Sequence, residues 1–158
     1  MILQVDVDGT LADTRALERL MLGGTITPDE YLQRTAIEAE PIAPVVEWLH
    51  RAAGLDIPIH YVTGRASHHH LRRMLQRLDV PPGIMWTAGP RVGALQHKVT
   101  TARVLTSNEQ HVHAVDDNPD HLWALTQLPR ITGTRVSGWP LAEHQQPITV
   151  DLPTLEKL

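Results

Sequence analysis

The chain has no cysteine and no phenylalanine, and it has no surplus of positive charge. Without cysteine there is no disulfide framework and no thiolate metal site. A reducing compartment is therefore the expected setting, and the expected location is cytoplasmic. No apolar run approaches membrane-spanning length, and the first residues carry no basic region followed by an apolar stretch. The chain is expected to be soluble and unexported, with no membrane partner. The formal net charge is -4. A domain that grips long nucleic acid through its phosphates is usually basic, so this balance argues against tight duplex binding. Internal repeats and low-complexity linkers are absent too.

What is present is a globular balance, 42% hydrophobic and 20% charged over 158 residues. That length supports one ordinary domain, expected to span residues 1–158. Residues 2–7 read as a buried strand that runs into a turn at Asp8-Gly9. Residues 16–21 read as a helix. Thr27-Pro28-Asp29-Glu30 reads as a second helix start with a capping box. Residues 41–53 read as a third helix. Further strands are expected at 57–62, 83–86, 111–115 and 131–136. The helices between them are expected to start at Ser67, near Lys98 and at Asp120. In the Ser67 helix, Leu71, Met74, Leu75 and Leu78 form a core-facing stripe. Apolar strands alternating with amphipathic helices imply a mostly parallel five-stranded sheet with helices on both faces.

In such sheets ligands bind beyond the carboxyl ends of the strands. Polar residues stand at those ends. Asp6 and Asp8 follow the first strand, Thr63 and Arg65 the second, and Asp116 and Asp117 the fourth. Asp6, Asp8 and Asp116 would converge on one edge, and converging carboxylates need a cation. Oxygen-only ligation suits Mg²⁺, which keeps room for a substrate phosphate. Asp6 is then placed to attack phosphorus, and Asp8 to protonate the leaving oxygen and later deprotonate a water. Thr63, the backbone N–H of Gly64, and Lys98 are the natural donors to the phosphoryl group. Gly9 lets the backbone turn tightly.

These residues resemble the haloacid dehalogenase superfamily of phosphohydrolases. "DVDGT" at Asp6–Thr10 matches its first motif, "VTG" at Val62–Gly64 the second, Lys98 the third and "VDDNPD" at Val115–Asp120 the fourth. The order and spacing agree over residues 1 to 136. The resemblance implies a Rossmann-like fold and Mg²⁺ as cofactor. It implies Asp6 as nucleophile and metal ligand. Asp8 is implied as acid/base and donor of a backbone carbonyl to the metal. Asp116 is implied as metal ligand with Asp117 close by, and Asp120 as a support for Lys98 or the metal waters. A small helical cap insert is expected at about 14–40.

"DVDGTLADT", "VTGRASHHHLRRML" and "AVDDNPDHLWAL" are further similar to the phosphatase domain of polynucleotide kinases. That likeness implies that Arg65 assists at the phosphate. No G-x-x-x-x-G-K-[ST] kinase loop accompanies it. Three functions follow as expectations: a phosphatase on nucleotides or other small phosphate esters, a 3′-phosphatase on nucleic-acid ends, or a silent binding domain on the same fold. The intact Asp6, Asp8, Lys98 and Asp116 argue against the last. Asp8 also favours a phosphatase over a dehalogenase. His68, His69 and His70 do not read as a metal site, because consecutive helix residues point about 100° apart. Arg72, Arg73 and Arg77 read as a solvated helix face. His60, His111 and His113 read as packing residues, and Trp48, Trp86, Trp123 and Trp139 as packing in or near the core.

Overall fold

The computed structural model describes residues 1–66, 68–137 and 147–155. Its centre is a five-stranded, fully parallel sheet. Strands β1 (Ile2–Val5), β4 (Ile59–Thr63), β5 (Ile84–Thr87), β6 (Val112–Asp116) and β7 (Ile131–Arg135) lie in the order β5-β4-β1-β6-β7. β1, β4 and β6 are buried along almost their whole length, as strands covered on both faces are. Leu3 and Val5 point into one core with Trp48, Tyr61, Leu71 and Met74. A second core on the opposite face gathers Ala102, Leu105, Val112, Ala114 and Leu125. Helices α3 (Ala43–Gly54) and α4 (His68–Arg77) supply the first, and α5 (Ala94–Thr106) and α6 (Pro119–Thr126) the second. The stripe Leu71, Met74, Leu75 and Leu78 is buried as expected. The cap expected at Ser67 and the packing expected for Trp139 lie outside the described residues.

Between β1 and α3 the chain runs through α1 (Arg15–Leu22) and α2 (Pro28–Glu38). Two-residue strands β2 (Ala12–Asp13) and β3 (Glu40–Pro41) pair antiparallel and tie the ends of this segment together. Pro41 therefore belongs to that ribbon rather than to the helix after it. The helix starts at Ala43 and keeps Pro44 in its first turn, where a missing N–H costs nothing. The capping box forms: the Thr27 hydroxyl accepts from the Glu30 N–H at 3.2 Å, and the Glu30 carboxylate accepts from the Thr27 N–H at 2.8 Å. At the other end of α2, Arg77 of α4 donates to the carbonyls of Ala36 and Ala39. Arg72, Arg73 and Arg77 are all exposed, as expected of a solvated helix face, and Arg77 in addition caps α2.

Two side chains depart from the packing expected of them. Trp123 is 68% exposed, because α6 turns Leu122 and Leu125 inward instead. His111 is exposed in the turn before β6. Trp86 is half-buried, packs against the second core as expected, and donates its indole N–H to His60 Nδ1 at 2.8 Å. Among the described residues, no helix is long and apolar enough to cross a membrane.

Candidate active site

Three adjacent strands, β4, β1 and β6, deliver their carboxyl ends to one edge. There the chain places Thr63, Asp6 and Asp116. The Asp6 N–H donates to the Val115 carbonyl at 2.9 Å, which fixes the end of β1 against β6. Gly9 then turns the chain with φ +81°, and a Cβ there would lie 2.3 Å from Asp117 Oδ2. Both facts require glycine. At Gly64 a Cβ would lie 2.7 Å from the Ala94 Cβ, so only glycine lets α5 begin this close to β4.

Lys98 is 3% exposed and sits at the centre of the cluster. Its Nζ is 2.8 Å from Asp6 Oδ1 and 2.7 Å from Asp116 Oδ2. It also lies 3.1 Å from His121 Nδ1. An ammonium has donors only, so that nitrogen accepts. Lys98 stands in the second turn of α5 rather than at its start, because the helix begins at Ala94. The Gln4 side chain, which points away from the Leu3–Val5 core, donates to the Lys98 carbonyl at 3.3 Å.

Asp8 turns elsewhere. Arg65 Nε donates to Asp8 Oδ2 at 2.9 Å and Arg65 Nη2 to Asp8 Oδ1 at 2.5 Å, a bidentate pair. The Tyr31 hydroxyl of α2 donates to Asp8 Oδ1 at 3.2 Å, and Thr35 of α2 accepts from Arg65 at 2.8 Å. The Arg65 side chain is 4% exposed, and its Nη1 is buried without a hydrogen-bond partner.

The third carboxylate in the cluster is therefore Asp117, not the side chain of Asp8. Asp6, Asp116 and Asp117 each offer an oxygen within 4.8 Å of the others, the one such group of metal-ligating side chains among the described residues. The Thr10 hydroxyl lies 3.3 Å from both Asp6 Oδ2 and Asp117 Oδ1. Asp120 is exposed in the first turn of α6; the side chain that reaches Lys98 from this helix is His121, one residue on. The Asn118 cap starts α6 so early that residue 121 falls on the turn facing the sheet edge.

Charge explains the titration of these groups. Four carboxylates, Asp6, Asp8, Asp116 and Asp117, face two cations, Lys98 and Arg65. Burial, with Asp6 and Asp116 beside it, pushes Asp117 up to about 9. Burial likewise raises Asp6 to about 6 against the opposing pull of Lys98. Burial would also raise Asp116, but Lys98 outweighs it and the net direction is down. For Asp8, burial is outweighed by Arg65 and Tyr31, and its carboxyl falls below the ordinary range. The surplus of buried negative charge is the property of a cation site. Three carboxylate oxygens this close could hold a hard divalent cation.

In front of Asp6 opens a cavity of about 480 Å³, lined at its floor by Asp6, Asp8, Thr63, Gly64, Lys98 and Asp117. Its outer wall comes from α1 and α2. Glu18 of α1 lines it too, and burial beside Asp8 and Asp6 pushes that carboxyl up to about 7. The motif pattern had singled out neither Glu18, Tyr31 nor His121. Thr10 was visible within "DGT", but without a role.

No family profile matches the chain, and no curated protein matches it. Solved structures do. The class C acid phosphatase from Bacillus anthracis superimposes with a TM-score of 0.59 at 20% identity, over 76% of this chain and 52% of that one. This chain thus spans about half the length of that phosphatase. A chain of the Pnkp1/Rnl/Hen1 complex gives a TM-score of 0.62 at 16% identity, over 86% of this chain and 45% of that one. A haloacid dehalogenase-like family hydrolase from Streptococcus pneumoniae gives 0.60 at 13% identity, over 92% and 90%. The neighbours are haloacid dehalogenase-like, and what this chain shares with them is the fold, an α/β, Rossmann-like arrangement around a parallel sheet.

Proposed function

We propose that this protein is a Mg²⁺-dependent phosphomonoester hydrolase that works through an aspartyl-phosphate, on nucleotides or other small phosphate esters. The observation that carries the reading is the pairing of two unlike carboxylates at the end of β1. Asp6 lies among Lys98, Asp116 and Asp117, whereas Asp8 is held apart by Arg65 and Tyr31. Two carboxyl groups in different environments can take different roles.

Asp6, Asp116, Asp117 and the backbone carbonyl of Asp8 would hold the metal, which would neutralise surplus charge and polarise the phosphoryl oxygens. A carboxylate oxygen of Asp6 attacks phosphorus, and the bond from phosphorus to the ester oxygen breaks. Asp8 gives that oxygen its proton. Water then attacks the aspartyl-phosphate while Asp8 takes a proton from it, releasing inorganic phosphate and the Asp6 carboxylate. Lys98 keeps Asp6 ionised and oriented. Thr63, Gly64 and Arg65 line the cavity where phosphate oxygens would be bound. A phosphate dianion beside Arg65 competes with Asp8 for the guanidinium and raises the proton affinity of Asp8, which an acid needs. Helices α1 and α2 act as a small cap over the site, within one domain.

Nucleic-acid 3′-phosphate ends are the second reading, favoured by the fold shared with a chain of the Pnkp1/Rnl/Hen1 complex. The test is hydrolysis of 4-nitrophenyl phosphate with Mg²⁺ and with EDTA. Wild type should turn over only with the metal, and Asp6→Asn should lose several orders of magnitude. Activity undiminished in Asp6→Asn excludes the covalent route, and a wild type inert on every ester leaves only a binding role.

A further inference from the structure

The two oxygens of the Asp8 carboxylate are not equivalent. Arg65 faces both, with Nη2 2.5 Å from Oδ1 and Nε 2.9 Å from Oδ2. The Tyr31 hydroxyl lies 3.2 Å from Oδ1, and the Thr63 hydroxyl 3.5 Å from Oδ2. A carboxyl group that is to hold a proton needs one oxygen clear of fixed donors. A carboxylic O–H set against a guanidinium N–H has two hydrogens and no acceptor between them. A phosphate that draws Arg65 away clears its contacts on both oxygens. Tyr31 stays behind. It is buried in the first turn of α2, where its N–H donates to the Thr27 carbonyl at 2.9 Å beside the capping box. Its ring centre lies 5.9 Å from the guanidinium carbon of Arg65, so one side chain touches both members of the ion pair.

We propose that Tyr31 is a positioning residue for the acid. Its hydroxyl holds Asp8 Oδ1, so that Oδ2, on the side of Thr63, is the oxygen that carries the proton. As the bond from phosphorus to the ester oxygen breaks, its electron pair goes to that oxygen. The Oδ2 proton follows it, and Asp8 is left ionised. In the second step the attacking water returns a proton to Oδ2. Tyr31 donates to Oδ1 throughout and exchanges no proton with the substrate. The cap segment then takes part in the chemistry, because the side chain that orients Asp8 belongs to α2. This inference rests on the phosphatase reading above and deepens it.

The experiment compares kcat/KM, with Mg²⁺ present, on 4-nitrophenyl phosphate and phenyl phosphate. The two esters are close in shape, and the second has the leaving group that needs the proton more. This ratio covers only the steps up to departure of that group. Tyr31→Phe keeps the ring beside Arg65 and removes the hydroxyl alone. It should lose about tenfold on phenyl phosphate and under about twofold on 4-nitrophenyl phosphate. In an Asp8→Asn background the same change should cause no further selective loss, because the residue through which Tyr31 acts is gone. A residue that merely packs α2 would lower both esters by one factor. Tyr31→Phe with the two esters in the wild-type ratio therefore overturns the proposal. A selective loss that persists beside Asp8→Asn overturns it too, since Tyr31 would then act on the leaving oxygen directly. In both cases wild-type turnover keeps the phosphatase reading standing. A wild type inert on both esters overturns that reading, and the role of Tyr31 falls with it.

Discussion

At the scale of single residues, the cluster depends on Gly9 as much as on its carboxylates. Its φ of +81° is strained for any other residue, and its missing Cβ makes the space that Asp117 occupies. Gly9→Ala should cost on the order of 1–3 kcal/mol in urea unfolding. If Asp117 holds the proposed metal, Mg²⁺ affinity should fall as well, because Asp117 must move. Both are measurable on one preparation, and a variant unchanged in both would mean that the turn absorbs the methyl. Asp8 allows a sharper test. Without its proton the leaving oxygen departs as an alkoxide, which matters little for nitrophenolate and much for an alkyl ester. Asp8→Asn should therefore lose far more rate on an alkyl phosphate than on 4-nitrophenyl phosphate. Equal losses on both would remove the acid role.

At the scale of elements, α2 links packing to chemistry. It carries Tyr31 and Thr35 to the Asp8–Arg65 pair, and both of its ends are tied down. Thr27→Ala breaks the capping box and should lower the free energy of unfolding by about 1 kcal/mol, measured by urea titration. An unchanged midpoint would show that packing alone holds the first turn. The box was legible in sequence because its parts lie within four residues, and so was the Leu71–Leu78 stripe, whose signal is periodic. The clustered aspartates Asp6 and Asp116 were legible because strands end where apolar runs end. What escaped is non-local or unsignalled. Gly93 caps α5 without a polar side chain, so nothing marks a start four residues before Lys98. Arg77 and Arg65 each find partners more than thirty residues away, which no local pattern encodes. Asp120 and His121 differ only in which side of the first turn they occupy, and that was set by where Asn118 begins α6.

At the scale of the whole molecule, the central sheet sets β4, β1 and β6 side by side with their carboxyl ends at one edge, and it also carries a buried titratable group. His113 on β6 is 3% exposed. Its ring nitrogens lie 2.8 Å and 3.1 Å from the hydroxyls of Thr132 and Thr134 on β7, and its ring packs 6.1 Å from that of Trp48. Burial pushes its pKa from 6.5 down to about 4. Between those values the unfolded chain binds a proton that the folded chain refuses. Stability from this group is therefore complete above about pH 6.5, and it is lost as pH falls toward 4. The gap corresponds to roughly 3 kcal/mol at most. Other groups titrate in the same range, so the comparison must be differential. His113→Gln keeps hydrogen bonding to the threonines and cannot take up the proton. Unfolding free energies from urea titrations at pH 7 and pH 4.5 should fall steeply in wild type and less in the variant. The variant should be the less stable at pH 7, where it gives up native packing, and the two curves should approach each other as the pH drops. Parallel curves would place the acid sensitivity of the sheet elsewhere and leave His113 a packing residue alone.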